Sequence, residues 1–356
     1  MVFADYAGVS AVLRRTRMTQ RPYAEWESIW AGAPFAAKFA DVPIGWVLEN
    51  AAKEVVGTLS NVHSEYWYGG RPLRAAIAAS WAVDGDYRSH ALALKSKFFS
   101  QRNVDVLLNG SASQRTAQLL PAFKATPVPH ASYDEVLFWI TGYHGFARSA
   151  LRKTGRPWML AVSPLLGAAW WTLDSVTRAP WAVREPEVTE RRSFDEAFDR
   201  FWAKLSMHPN RLLALRSREA LEWRLKHALA QDRARILVLE RNSEIDGYLL
   251  LLRSDSEAHG LRRYLVADLQ VIDETGRSTH ALLVAGLRLA RREGLHMLEM
   301  TGFNAQKRQW ALRLSPYVRK LGWSRFYVKV CRPELREPLA AIEAWDASPF
   351  DSDDTI

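Results

Sequence analysis

Cysteine is almost missing from this sequence: Cys331 is the one thiol in 356 residues. That excludes an internal disulfide framework and any metal cage built from cysteines. The nine histidines show no metal-ligand spacing, so no metal is expected. There is no Gly-x-x-x-x-Gly-Lys phosphate loop, no Gly-x-Ser-x-Gly elbow and no Cys–His pairing for hydrolysis through a nucleophile. A long apolar run is missing too. The best candidate, WMLAVSPLLGAAWWTL (158–173), is 16 residues broken by Pro164, short of the roughly 20 that a span needs. Near the start, Arg14, Arg15 and Arg17 have no long apolar run behind them, which does not read as a secretory signal. A cytoplasmic protein is expected.

What is present is an ordinary globular composition, 48% apolar and 24% charged. The length exceeds one comfortable core and predicts two domains. Fifteen tryptophans are read as filling cores and interfaces. The net charge of +9 suits an anionic partner: a phosphorylated cofactor, a nucleic acid or an acidic membrane. The basic residues are spread along the chain rather than massed, which argues against nucleic acid as the main partner.

The most informative feature is an internal repeat. In the first half, GWVLE (45–49), VVGTLSNV (55–62) and RAAIAASWAVD (74–84) read as three strands. A helical run (89–101), the apolar strand VDVLLN (104–109) and a turn opening another helix (110–123) follow. The second half repeats the order with strands at 236–240, 246–252 and 262–273, a helix at 278–294 and a strand at 295–300. Beyond these, 306–322 reads as a helix containing Pro316, and RFYVKV (325–330) as the strand that closes the second unit. Glu25-Trp26 and Glu222-Trp223 stand before the first strand of each half.

These limits give an N-terminal domain over 1–150 and an apolar segment with linker over 151–193. A C-terminal domain follows over 194–335, and an acidic tail over 336–356. The linker is placed at 178–193, ending on Ser193 as the N-cap of a helix. For 158–173 two readings stand. A buried inter-domain helix is the expectation; the alternative is a peripheral membrane anchor flanked by Arg152, Lys153, Arg156 and Arg178, which would make the protein membrane-associated.

In each half the key junction is long strand, short loop, helix. The first amides of a helix lack intrachain partners and carry about half a positive charge, so a pyrophosphate can sit on them. In the first half the junction is Val83-Asp84-Gly85-Asp86-Tyr87-Arg88-Ser89-His90-Ala91-Leu92-Ala93, and in the second Gly276-Arg277-Ser278-Thr279-His280-Ala281. Arg88-x-x-Ala91-x-Ala93 resembles the Gln/Arg-x-x-Gly-x-Gly/Ala signature of the acyl-CoA-dependent N-acetyltransferases (the GNAT family), with Ala for the central Gly. Asp84-Gly85-Asp86-Tyr87-Arg88 approximates the family's lead-in. Asn109-Gly110-Ser111-Ala112-Ser113 is similar to the turn that follows its next strand. The resemblance covers residues 25 to about 140; in the second half the cofactor loop looks eroded, with neither signature glycine after Arg277.

The resemblance implies an α/β (α+β) fold of two tandem GNAT-like domains, each a mixed, largely antiparallel sheet flanked by helices. It implies acetyl-CoA or another acyl-CoA as cosubstrate, held by Val83, Arg88, Ser89, His90, Ala91, Leu92, Ala93, Asn109 and Ser113. The acyl group would pass by direct attack of an amine or hydroxyl acceptor, with Asp84 or Asp268 as base and Tyr133 or Tyr143 as the acid on the leaving thiolate. Tandem units of this kind also resemble the Fem-type and cellulose-biosynthesis-associated cell-envelope acyltransferases, whose acceptors are saccharides or amino-sugar precursors. Two other readings stay open: an aminoacyl-tRNA-dependent transferase, and a binding protein of this fold without catalysis.

Overall fold

The computed structural model describes residues 1–130, 132–177, 188–273 and 275–355. Its strands, in chain order, are β1 (Gly45–Glu49), β2 (Val55–Tyr68), β3 (Arg71–Val83), β4 (Val106–Asn109), β5 (Thr126–Pro127), β6 (Glu135–Ile140), β7 (Val188–Arg191), β8 (Leu213–Ala214), β9 (Ala234–Arg241), β10 (Glu244–Arg253), β11 (Arg263–Val271), β12 (Met297–Thr301), β13 (Tyr317–Lys320) and β14 (Tyr327–Val330). The helices are α1 (Tyr6–Arg15), α2 (Tyr23–Ala31), α3 (Ala91–Phe99), α4 (Gln114–Leu119), α5 (Tyr143–Lys153), α6 (Ser163–Thr177), α7 (Glu196–Leu205), α8 (Arg218–Ala230), α9 (Arg277–Arg292) and α10 (Ala305–Leu312).

Two compact units result, each assembled from separate stretches of chain. The first comprises 1–134, 202–227 and 322–356. Its sheet runs β1-β2-β3-β4-β14-β5, with β8 also on β2. Only β3–β4 is parallel. The β2–β3 hairpin turns on Gly69-Gly70, both at positive φ, the tight turn that matches strand twist. Leu94, Phe98 and Phe99 of α3 are buried with Leu59 and Leu107 of the sheet, and Val9, Val12 and Leu13 of α1 pack with Ala82.

The second unit comprises 135–201 and 228–321, with the order β13-β6-β12-β11-β10-β9-β7. Again one pair, β11–β12, is parallel and the rest are antiparallel. Leu282, Leu283 and Leu287 line the apolar face of α9 and pack on Leu249, Leu251 and Val266, the helical spacing a surface helix needs to cover a sheet.

Both sheets carry the same irregularity. The parallel pairing of β3 with β4 stops at Ile77↔Leu108, and a bulge at Ser80, held at φ +50°, follows at once in β3. The pairing of β11 with β12 stops at Leu265↔Glu299, and β11 bulges at Ala267. A bulge bends and over-twists its strand, so in each unit the two parallel strands part and the longer one runs on paired with its antiparallel neighbour, β2 or β10.

Several sequence expectations are corrected. The division is not contiguous: RFYVKV pairs with β4 and β5 of the first sheet, whereas 135–140 inserts between β12 and β13 of the second. Strand partners are chosen across long sequence distances, and alternating apolar strands fit either sheet. The helix read over 306–322 ends at Leu312. Pro316 cannot donate and restricts Ser315, which sits at φ +48°, and the chain re-emerges as β13. Asp195 rather than Ser193 serves the start of α7, accepting from the Ala197 amide at 3.0 Å. Residues 336–356, set apart above as an acidic tail, belong to the first unit, where Trp345, Ala347, Phe350 and Ser352 are buried. Segment 158–173 is not a buried helix: Trp158 is 78% and Leu165 73% exposed. The linker over 178–187 lies outside the described residues.

Candidate functional site

In the first unit the junction leaving β3 is a 3₁₀ turn, Gly85–His90, that runs into α3. No side chain caps either the turn or the helix, and Arg88, Ser89, His90, Leu92 and Ala93 are exposed. Beside it opens a basin of about 1180 Å³ lined by Val83, Asp84, Tyr87 and Arg88 together with Arg15 and Lys53. Asp84 is not a free carboxylate. The Arg15 guanidinium grips it with Nε at 3.0 Å from both oxygens and Nη2 at 2.6 Å from Oδ2.

At the end of β4, Asn109 is buried and its Oδ1 accepts from Lys95 Nζ at 2.8 Å. Burial pushes the Lys95 ammonium down to about 8, with Asp353 opposing; its Nζ lies 4.8 Å from the Trp81 ring centroid. Sequence reasoning missed Lys95, although a lysine on the apolar face of ALALKSKFF was the available signal. Ser113 caps α4, its Oγ accepting from Thr116 N at 3.2 Å.

The chain's end forms a wall of this region. Gly110 packs on Ser352, where any Cβ would collide. Tyr66 donates to Asp351 Oδ1 at 2.7 Å, and the same carboxylate takes the Ser348 amide at 2.9 Å. Arg216 and Arg224 lie over the Phe350 ring at 4.7 and 4.6 Å, and Arg224 ties down Thr355 and the Ser352 carbonyl at 2.8 Å each. Tyr133 belongs to this wall and does not line the basin. It is fully buried, stacks on His130 and accepts the Ala347 amide at 3.0 Å. Tyr143 lies in the second unit and donates to Asp174 at 2.9 Å.

The second unit's junction is built differently. Asp273 accepts from Thr275 N at 2.7 Å and Thr275 Oγ1 at 2.8 Å, and at 3.4 Å from the amide of Ser278 in the first turn of α9. Burial alone would raise the Asp273 pKa, but the hydrogen bonds from Thr275 and Ser278 outweigh it and bring it below the usual carboxylate range. An internal carboxylate thus stands at the start of α9. Gly276, at φ +78°, lies directly under the Trp310 indole. Where β11 has left β12, the buried Lys307 ammonium donates to Leu269 O at 2.5 Å and Gln270 Oε1 at 3.1 Å. Asp268 is fully buried, accepting from Tyr248 OH at 2.7 Å and Gln270 Nε2 at 2.9 Å.

The structure therefore gathers Val83, Asp84 and Arg88 at one basin, and places Asp268 in the other unit. Among the described residues no group of three His, Cys, Asp or Glu side chains could hold a metal ion.

No protein-family model matches this chain, and no curated protein does. Solved structures do. It is similar to a GCN5-related N-acetyltransferase from Anabaena variabilis ATCC 29413, at 11% identity and TM-score 0.52 over 92% of this chain and 71% of that one. A GCN5-related N-acetyltransferase from Kribbella flavida gives 13%, 0.52, 93% and 69%. Saccharomyces cerevisiae N-myristoyltransferase, solved with bound myristoyl-CoA and inhibitors, gives 11%, 0.56, 91% and 77%. At such identities the likeness shows the fold alone: two mixed sheets flanked by helices, the fold of the GCN5-related N-acetyltransferases.

Proposed function

We propose that the protein is an acyltransferase that takes its acyl group from acyl-CoA at the first unit. One observation carries this reading: the first unit's helix start is exposed and uncapped beside a large open basin of mixed charge to which Arg88 contributes, while the second unit's first turn takes its own carboxylate, Asp273. The fold's relatives, N-acetyltransferases and an N-myristoyltransferase, support acyl transfer as the chemistry. Arg88, Ser89, His90 and the first residues of α3, Ala91, Leu92 and Ala93, are the proposed pyrophosphate contacts, with Val83 beside them. Asn109 and Ser113 bound the end of β4. The acceptor is an amine or hydroxyl of a small or saccharide-type molecule, as in Fem-type enzymes. It would attack the thioester carbonyl directly: the new N–C or O–C bond forms, the C–S bond breaks and the thiolate leaves with a proton. Asp84 is the proposed base once Arg15 releases it.

Saturating CoA should raise the melting temperature of the wild type by mass action, and Arg88→Ala should remove most of that rise. A wild-type melting temperature unmoved by CoA and by acyl-CoAs of several lengths defeats the proposal. A second reading, binding without turnover, is favoured by the Arg15–Asp84 pairing. Thiol release from acyl-CoA in the presence of amine and saccharide acceptors separates the two.

A further inference from the structure

Helix α6 is inside out. A surface helix turns apolar side chains inward and polar ones to water, but α6 buries Ser163, Gly167 and Asp174. It exposes Leu165 (73%), Trp171 (58%) and Val176 (80%), and the turn before it exposes Trp158 (78%). The orientation is fixed by chemistry. Asp174 accepts from Tyr143 OH at 2.9 Å and Tyr317 OH at 2.7 Å. Gly167 sits against the backbone of His144, where a side chain would crowd it. Rolling the helix to bury its leucines would strip the carboxylate of both tyrosines.

Helix α6 packs on α5, and at the start of α5 lies a cavity of about 450 Å³. Its charged lining is Arg148, Arg152 and Arg262, with His144 and His296, and it contains no carboxylate. Among the described residues none of the three guanidinium groups is in an ion pair. The acidic group bearing on His296 is Asp255, which is already paired with Arg253. An outward apolar face on α6 and a cationic hollow at α5 thus lie on neighbouring helices.

We propose that α6 and this hollow form one docking surface for a membrane containing anionic phospholipid. The exposed tryptophans and aliphatic side chains would seat among headgroups and upper acyl chains, and the guanidinium groups would take lipid phosphate. The helix has 15 residues, ~22 Å at 1.5 Å per residue, and among the described residues no helix is long and apolar enough to cross a membrane; it lies in the interface. Charge complementarity favours this occupant over a second copy of the chain, which would bring the same +9 against the same hollow. The proposal does not depend on acyl transfer.

Flotation with phosphatidylcholine vesicles, with and without phosphatidylglycerol, tests it. Wild-type protein floats with the anionic vesicles, stays behind with the neutral ones and is released by salt. Leu165→Glu/Trp171→Glu and, separately, Arg148→Glu/Arg152→Glu each lower the bound fraction by roughly tenfold or more. Both keep the wild-type melting temperature, because the altered side chains are exposed. Wild-type protein that ignores anionic vesicles overturns the proposal. So does a Leu165→Glu/Trp171→Glu variant that binds vesicles normally but dissociates a dimer seen by light scattering.

Discussion

At Arg88 the turn into α3 is exposed and no side chain caps it, while at Arg277 the matching turn is closed by Asp273 and lies beneath Trp310. The strands feeding both turns lose their parallel partner and then bulge while keeping their antiparallel one. One backbone design therefore ends in an open junction and in a sealed one. In the second unit Asp273 takes an amide of the first turn of α9, and Lys307 takes the Leu269 carbonyl on the side of β11 that has left β12. Backbone groups at the same place in one fold can thus be left open or be satisfied from within, without any change of fold.

The comparison can be broken in several ways. Phe350→Ala should be the most damaging change, since it removes a buried ring beneath two guanidinium groups; a loss of about 3–5 kcal/mol in urea unfolding is expected. If the end of the chain were dispensable to the first unit, the loss would be near zero. Lys307→Met should cost about 1.5–3 kcal/mol, because Leu269 O and Gln270 lose a charged donor in a buried place. CoA binding should survive that change.

Lys95 gives the first unit a pH signature. Its folded pKa of about 8 lies below the ordinary 10.5, so between those values the folded protein holds fewer protons than the unfolded chain. Lys95 therefore lowers stability below pH 8, and stability rises as the pH climbs from 8 toward 10.5. A denaturation series across that window should show the rise in wild type and a flatter curve in Lys95→Met. The smallest effect belongs to Asp273→Ala, about 1 kcal/mol for a lost helix-start acceptor; a neutral result would show that Asp273 does not seal the second junction.

Much of this was legible in the residues. The repeated order of apolar runs placed the long strands, since 55–62, 74–84, 236–240, 246–252 and 262–273 fall within or over β2, β3, β9, β10 and β11. The first junction was legible because Arg88 and small residues stand where a helix begins. What was not legible is long-range. Nothing local in RFYVKV says which sheet it joins, and nothing in SPFDSDDT says that Asp351 meets Tyr66, 285 positions away. The apolar stretch 158–173 misled for a different reason: hydrophobicity reports what a helix avoids, and it took Asp174 and its two tyrosines to fix which side faces the protein.

The central claim is that the two junctions have divided in function, and calorimetric titration with CoA tests it most directly. One CoA per chain is expected, with Arg88→Ala weakening binding roughly 10- to 100-fold and Arg277→Ala leaving it unchanged. Two sites per chain, or an Arg277→Ala loss larger than that of Arg88→Ala, would contradict the account.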